Sequence, residues 1–194
     1  MKFTLHSQTT APEASKPIIE QVEKTYGFFP NLYAVFAESP VAISTYLHIS
    51  GQLKAHGALT PQEQQIAMLA VSETNNCDYC VAAHSMMASL NQVPKETIQQ
   101  LREGGNPSDL KQAALVHFAQ VVMEHRGWVP ENEQEAFLAA GYTTRHALDV
   151  LAILALKTLS NYTNHLAKTP LDSAFESHRW SKREHAGTAC ECAS

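Results

Sequence analysis

From Thr143 to Leu166 the chain runs without proline or glycine and carries Leu148, Leu151, Ile153, Leu154, Leu156 and Leu159 around most faces of a helix. A helix that is apolar on most sides has to be surrounded by other elements. The segment is therefore expected as the central buried helix of the fold, capped by Thr143 or Thr144. Such a helix needs amphipathic neighbours, and the remaining sequence supplies them at helical spacing. Pro17 to Tyr26 sets Ile18, Val22 and Tyr26 on one face and is stopped by Gly27 and Pro30. Leu32 to Phe36 is a short apolar segment. Pro40 opens a helix with Val41, Tyr46, Leu47, Ile49 and Leu53, which ends at Gly57.

Thr60-Pro61-Gln62-Glu63 is a strong start signal, with an N-cap threonine, a proline at the first helical position and a glutamate at the third. Ile66, Leu69, Ala70 and Glu73 follow on that helix. Another runs from about Cys77 to Leu90, and Pro94 opens one that ends at Gly104-Gly105. Ser108 is expected to cap a helix carrying Leu110, Ala114, Leu115, Phe118, Val121 and Val122, which closes at Arg126-Gly127. Glu133 to Ala140 is a shorter helix ended by Gly141. No run alternates in the manner of a β-strand, so the class is all-α, a compact multi-helix bundle. A chain of 194 residues suits one domain with a core that needs no disulfide staples. That domain is expected over residues 1–180, with a poorly ordered tail at 181–194.

Fourteen Lys and Arg against nineteen Asp and Glu leave a formal charge of −5, which gives no basic footprint for nucleic acid. No apolar run approaches the ~20 residues needed to cross a bilayer. Met1-Lys-Phe-Thr-Leu-His lacks a basic start followed by an apolar core. The expected compartment is a reducing cytoplasm, where a Cys-x-x-Cys pair is more often catalytic than structural.

Such a pair lies in Glu73-Thr-Asn-Asn-Cys77-Asp-Tyr79-Cys80-Val-Ala-Ala-His84, with an imidazole one turn after the second thiol. Paired thiols close into a disulfide and reopen, and a helix beginning at the pair lowers a thiol pKa by placing its positive end near the sulfur. If one helix ran unbroken from Glu73, then Cys77, Cys80 and His84 would lie at roughly 40°, −20° and +20° from it. A carboxylate, two thiols and a base would then line one groove. If Asn75-Asn76 interrupts, as the turn and cap preferences of asparagine favour, a new helix starts near Cys77 with both sulfurs in its first turn. The bland readings are a buried packing pair, a structural disulfide, or a zinc site. For zinc, Cys77, Cys80 and His84 supply three ligands where a closed site wants four.

The pattern Glu-x3-Cys-x-Tyr-Cys-x3-His on an all-α chain resembles the core motif of the AhpD-like alkylhydroperoxidases, within the carboxymuconolactone decarboxylase superfamily. Gly27-Phe-Phe-Pro30-Asn31-Leu and Ser39-Pro40 resemble the amino-terminal segment of the family's peroxidase-related branch. Leu59-Thr-Pro-Gln-Glu63 is similar to its lead-in helix, and Ala140-Gly141-Tyr with Asn161-Tyr-Thr-Asn164-His165 to its carboxy-terminal helix. The likeness covers residues 15 to 180.

This resemblance implies an AhpD-like bundle and a thiol peroxidase cycle. In it Cys80 attacks the peroxide and becomes a sulfenic acid, Cys77 resolves it as a disulfide, and an external thiol or protein reductant reopens the bond. The resemblance also implies a small hydroperoxide as substrate, a homo-oligomer, and no metal or organic cofactor beyond the Cys77–Cys80 pair. His84 and Glu73 would form the proton relay. In the better-known AhpD proteins a glutamate twelve residues before the first cysteine completes that relay, and Gln65 stands at the matching position here. Glu73 is the expected substitute, with Glu63 next. Two alternatives stay open: carboxymuconolactone decarboxylase-type activity on the same scaffold, and a non-catalytic metal-binding or redox-sensing protein using Cys77, Cys80 and His84.

Asn164 and His165 could reach the pocket from the last helix, although a histidine on an apolar helix is more often a core residue. Tyr79 either packs beside the thiols or hydrogen-bonds to them. Trp128 and Trp180 are expected in the core or at a subunit contact. His48, His56, His117, His125 and His146 show no ligand spacing and read as structural or surface residues. Cys190 and Cys192 match no part of the motif.

Overall fold

The computed structural model describes residues 1–182, so Cys190, Cys192 and nearly all of the expected tail lie outside the described residues. A 3-10 turn at Glu13–Ser15 leads into α1 (Lys16–Tyr26), followed by α2 (Asn31–Phe36), α3 (Pro40–His56), α4 (Pro61–Thr74), α5 (Asp78–Leu90), α6 (Lys95–Arg102), α7 (Leu110–Glu124), α8 (Glu131–Ala139) and α9 (Thr144–Ala167). A second 3-10 segment spans Ser173–His178. No strand occurs among the described residues, and the all-α bundle is as expected. None of the described helices is long and apolar enough to cross a membrane.

The central helix is α4, not α9. Ten of its fourteen residues are buried, and it packs against α5, α6, α7 and α9. Its start is the capping box read from the sequence: Glu63 N donates to Thr60 Oγ1 at 3.2 Å, and Thr60 N donates to Glu63 Oε2 at 2.9 Å. Ile66 and Leu69 are fully buried on it, and burying a side chain of this size contributes about 1.5–3 kcal/mol.

Helix α9 instead lies along one side of the bundle. Leu148, Leu151, Tyr162 and Leu166 are 65%, 47%, 54% and 66% exposed, while Val150, Ile153, Leu156, Lys157, Ser160, Asn161 and Asn164 are buried. The many leucines of α9 give most of its faces an apolar look in sequence. Its buried stripe is set by phase, and the lower half of that stripe is polar.

Smaller differences have the same origin. Helix α1 buries Val22 and packs Ile18 partly buried against the core as expected, but Ile19 joins that face and Tyr26 is exposed. Helix α7 is capped by Asp109, whose carboxylate accepts from Gln112 N at 2.8 Å. Ser108 Oγ is taken by Gln100 Nε2 at 3.0 Å.

Candidate active site

The thiol pair sits where α4 hands over to α5. Asn76 adopts the left-handed conformation, with φ 54°. Its N–H donates to Glu73 O at 2.8 Å, and Cys77 N–H donates to Ser72 O at 3.0 Å. These two bonds close the end of α4 as a Schellman motif. The helix is therefore interrupted at Asn75-Asn76, and the single groove from Glu73 to His84 does not form. Cys77 becomes the N-cap residue of α5, Val81 N donates to its carbonyl at 2.9 Å, and Cys80 falls in the first turn.

Both thiols are free and each is only 1% exposed. Asn164 on α9 points its amide between them, with Nδ2 3.2 Å from Cys80 Sγ and 3.9 Å from Cys77 Sγ. Burial works against a thiolate at Cys80. The hydrogen bond from Cys77, the positive charge of Lys157 and the Asn164 amide outweigh it and hold Cys80 well below the usual thiol range. Cys77 moves the other way, raised by its hydrogen bond to Cys80, by burial and by the like charge beside it. The electrostatics thus separate one sulfur that carries charge from one that keeps its proton.

Lys157 is the residue the sequence reading missed. Its side chain is 0% exposed, and Nζ lies 2.7 Å from His84 Nε2. An ammonium only donates, so Nε2 accepts, and the ring proton must sit on Nδ1, which donates to Gln65 Oε1 at 3.0 Å. Burial, and then the adjacent Lys157, push His84 well below the ordinary imidazole range, so the ring is neutral. Among the described residues no carboxylate pairs with Lys157.

The carboxylates expected in the relay are engaged elsewhere. Glu73 pairs with Lys182 Nζ at 3.1 Å and lies against Gly104, where an added Cβ would come within 3.3 Å of its carboxylate. It lines a 440 Å³ cleft with Arg102, Arg179 and Trp180. No hydrogen bond joins Glu73 to Cys77, Cys80 or His84, because the turn at Asn76 separates the inner face of α4 from that of α5. Glu63 holds its capping box and accepts from Tyr142 Oη at 3.0 Å.

Tyr79 also turns away from the sulfurs. Its hydroxyl donates to Asp172 Oδ2 at 2.5 Å, and Asp172 in turn accepts from Asn31 N at 3.1 Å at the start of α2. The motif tyrosine is thus a tie between α5, α2 and the segment after α9. Of the pair suggested on the last helix, Asn164 reaches the thiols and His165 is exposed. Trp128 is exposed, and Trp180 donates Nε1 to Arg102 O at 2.8 Å.

Among the described residues no three His, Cys, Asp or Glu side chains are grouped to hold a metal ion. Asn75 Nδ2 donates to Asn161 Oδ1 at 2.8 Å. Asn75 also lines a 380 Å³ cleft with Val122, Leu151, Leu154 and Tyr162.

Residues 40–127 match the model of the carboxymuconolactone decarboxylase family. The chain is similar in structure to the AhpD core alkylhydroperoxidase described as an uncharacterized peroxidase-related protein of Ralstonia eutropha JMP134. The TM-score is 0.79 at 24% identity, over 93% of this chain and 97% of that one. A peroxidase-related protein of Silicibacter sp. TM1040 superposes with a TM-score of 0.75 at 17% identity, over 90% of this chain and 95% of that one. The debrominase Bmp8, as its C82A variant with 2,3,4-tribromopyrrole, gives a TM-score of 0.76 at 16% identity, over 92% and 95%. No curated protein sequence is significantly similar to the chain.

Proposed function

We propose, for a chain that belongs to the AhpD-like carboxymuconolactone decarboxylase superfamily, a thiol-dependent hydroperoxide reductase function. The observation that carries this reading is the asymmetry of the buried pair: Cys80, with Asn164 Nδ2 at 3.2 Å, is the sulfur favoured as thiolate, and Cys77 keeps its proton. Thiolate is the attacking species in peroxide reduction. The Cys80 sulfur takes the terminal oxygen of the peroxide as the O–O bond breaks, and the alkoxide leaves as alcohol once protonated. The Cys77 thiol then attacks the sulfenic sulfur, forming the disulfide and releasing water. An external reductant, two equivalents of a small thiol or one protein dithiol, supplies the two electrons and two protons that reopen it.

Two further features support a peroxide as the reactant. Asn164 Oδ1 and Asn161 Nδ2, both buried, have no partner at full hydrogen-bond geometry among the described residues, and the Asn161 amide also favours the Cys80 thiolate. They offer one donor and one acceptor, which a hydroperoxide can match with its own acceptor and donor. Decarboxylase-type chemistry on this scaffold makes no use of such a pair of thiols. The exposed apolar side of α9, with Leu148, Leu151, Tyr162 and Leu166, favours a homo-oligomer. A reducing cytoplasm is the compartment that suits the cycle.

The test is stoichiometric. Reduced protein mixed with an equimolar organic hydroperoxide is expected to form one Cys77–Cys80 disulfide and one alcohol per peroxide consumed. Peroxide loss with both thiols intact contradicts the reading.

A further inference from the structure

We propose that Lys157 is the acid of this site: its ammonium group gives a proton to the alkoxide that leaves when Cys80 attacks the peroxide, and regains one when the disulfide is reduced. The inference rests on the peroxidase reading above and names the proton source that reading requires.

The geometry leaves little else to do the work. Glu73 and Glu63 are bound to Lys182 and to the α4 cap respectively. His84 accepts from Lys157 through Nε2 and donates through Nδ1 to Gln65, an amide that cannot take the proton on. The ring therefore orients Lys157. Of the three N–H bonds of Lys157, one is used by His84, and the other two have no protein partner among the described residues.

Charge makes the transfer natural. A buried ammonium without a counter-ion is costly, and the described residues give Lys157 no carboxylate. The Cys80 thiolate is the anion that balances it. Attack on the peroxide removes that thiolate and creates a strongly basic alkoxide at the same moment, so the buried cation loses its partner as an acceptor for its proton appears. The step balances: Cys80–S⁻, Lys157–NH3⁺ and ROOH give Cys80–SOH, Lys157–NH2 and ROH. Cys77–SH then condenses with the sulfenic acid and releases water. Two electrons and two protons from the external reductant restore Cys77–SH, Cys80–S⁻ and Lys157–NH3⁺.

Leaving-group dependence tests this. In a Cys77→Ser parent, the rate of sulfenic acid formation at Cys80 is measured with tert-butyl hydroperoxide, whose alkoxide needs a proton, and with peracetic acid, whose carboxylate does not. Lys157→Arg keeps the charge but cannot release a proton, and Lys157→Met removes both. Each variant is expected to lose about 100-fold more rate with tert-butyl hydroperoxide than with peracetic acid. Either variant decides the matter alone, so a packing failure in one leaves the other informative. Equal losses with the two oxidants, or no loss, overturn the assignment, since a role in packing or in thiolate stabilisation does not distinguish leaving groups. A parent that reacts with neither oxidant overturns the peroxidase reading itself, and this assignment with it.

Discussion

Lys157 Nζ lies 2.7 Å from His84 Nε2, and the lysine is completely buried. The imidazole that the motif presents as a base is thereby committed as an acceptor; burial and then the adjacent cation keep it neutral, and the Gln65 amide holds its Nδ1. The relationship also explains why Gln65 can stand where a carboxylate is expected, because the ring it holds carries no charge to balance.

Gln65→Glu follows directly. A carboxylate placed on Nδ1 stabilises the protonated ring, so the His84 pKa is expected to rise by about 1–3 units. An NMR titration of the two proteins checks this, and an unmoved His84 resonance contradicts the hydrogen-bond assignment.

Asn164→Ala removes the amide at 3.2 Å from the Cys80 sulfur. Hydrogen bonds to charged groups contribute about 1.5–3 kcal/mol, and 1.36 kcal/mol is one pKa unit. The Cys80 pKa is therefore expected to rise by about 1–2 units, read from the pH dependence of alkylation in a Cys77→Ser background.

The lowered pKa of Cys80 also makes stability depend on pH in the reduced state. Its folded value lies below the unfolded one of about 8.5, so between the two the unfolded chain binds more protons and stability rises with pH. The contribution is fully present above the unfolded value and is lost as pH falls through the folded one. Denaturant unfolding of reduced protein against Cys80→Ser is expected to show the wild-type advantage shrinking on acidification. An advantage that grows on acidification contradicts the thiolate.

Tyr79→Phe takes the hydroxyl from Asp172 Oδ2 and leaves a buried carboxylate short of a donor. The expected cost is about 1–3 kcal/mol, which is ~2–12 °C in Tm for a chain of this size. Cys80 alkylation at neutral pH should stay as it is, since Tyr79 ties elements together and its hydroxyl points away from the sulfurs.

What the sequence made legible was local. The Thr60 to Glu63 box and the break at Asn75-Asn76 are short-range signals, and both lie where the residues placed them. The motif thiols and His84 come together because they share the start of one helix. The remainder of the site arrives from α9, about 70 to 90 residues later in the chain. No local pattern announces that meeting. A phase argument comes close: Val150, Lys157 and Asn164 are spaced by seven, and Val150 is a core residue, so the two polar residues had to face inward as well. The leucines on most faces of α9 mask this stripe. Glu73 lies apart from the thiols for a different reason. Its spacing to the thiols counts only along an unbroken helix, and Asn76 breaks it.

The account stands on Cys80 as the sulfur that meets the peroxide. The direct measurement is mass-spectrometric trapping of sulfenic acid after an organic hydroperoxide is added to reduced Cys77→Ser and Cys80→Ser proteins. The expected result is a trapped sulfenic acid at Cys80 in the first and no modification at Cys77 in the second. Equal peroxide consumption by Cys80→Ser, or trapping at Cys77, contradicts it.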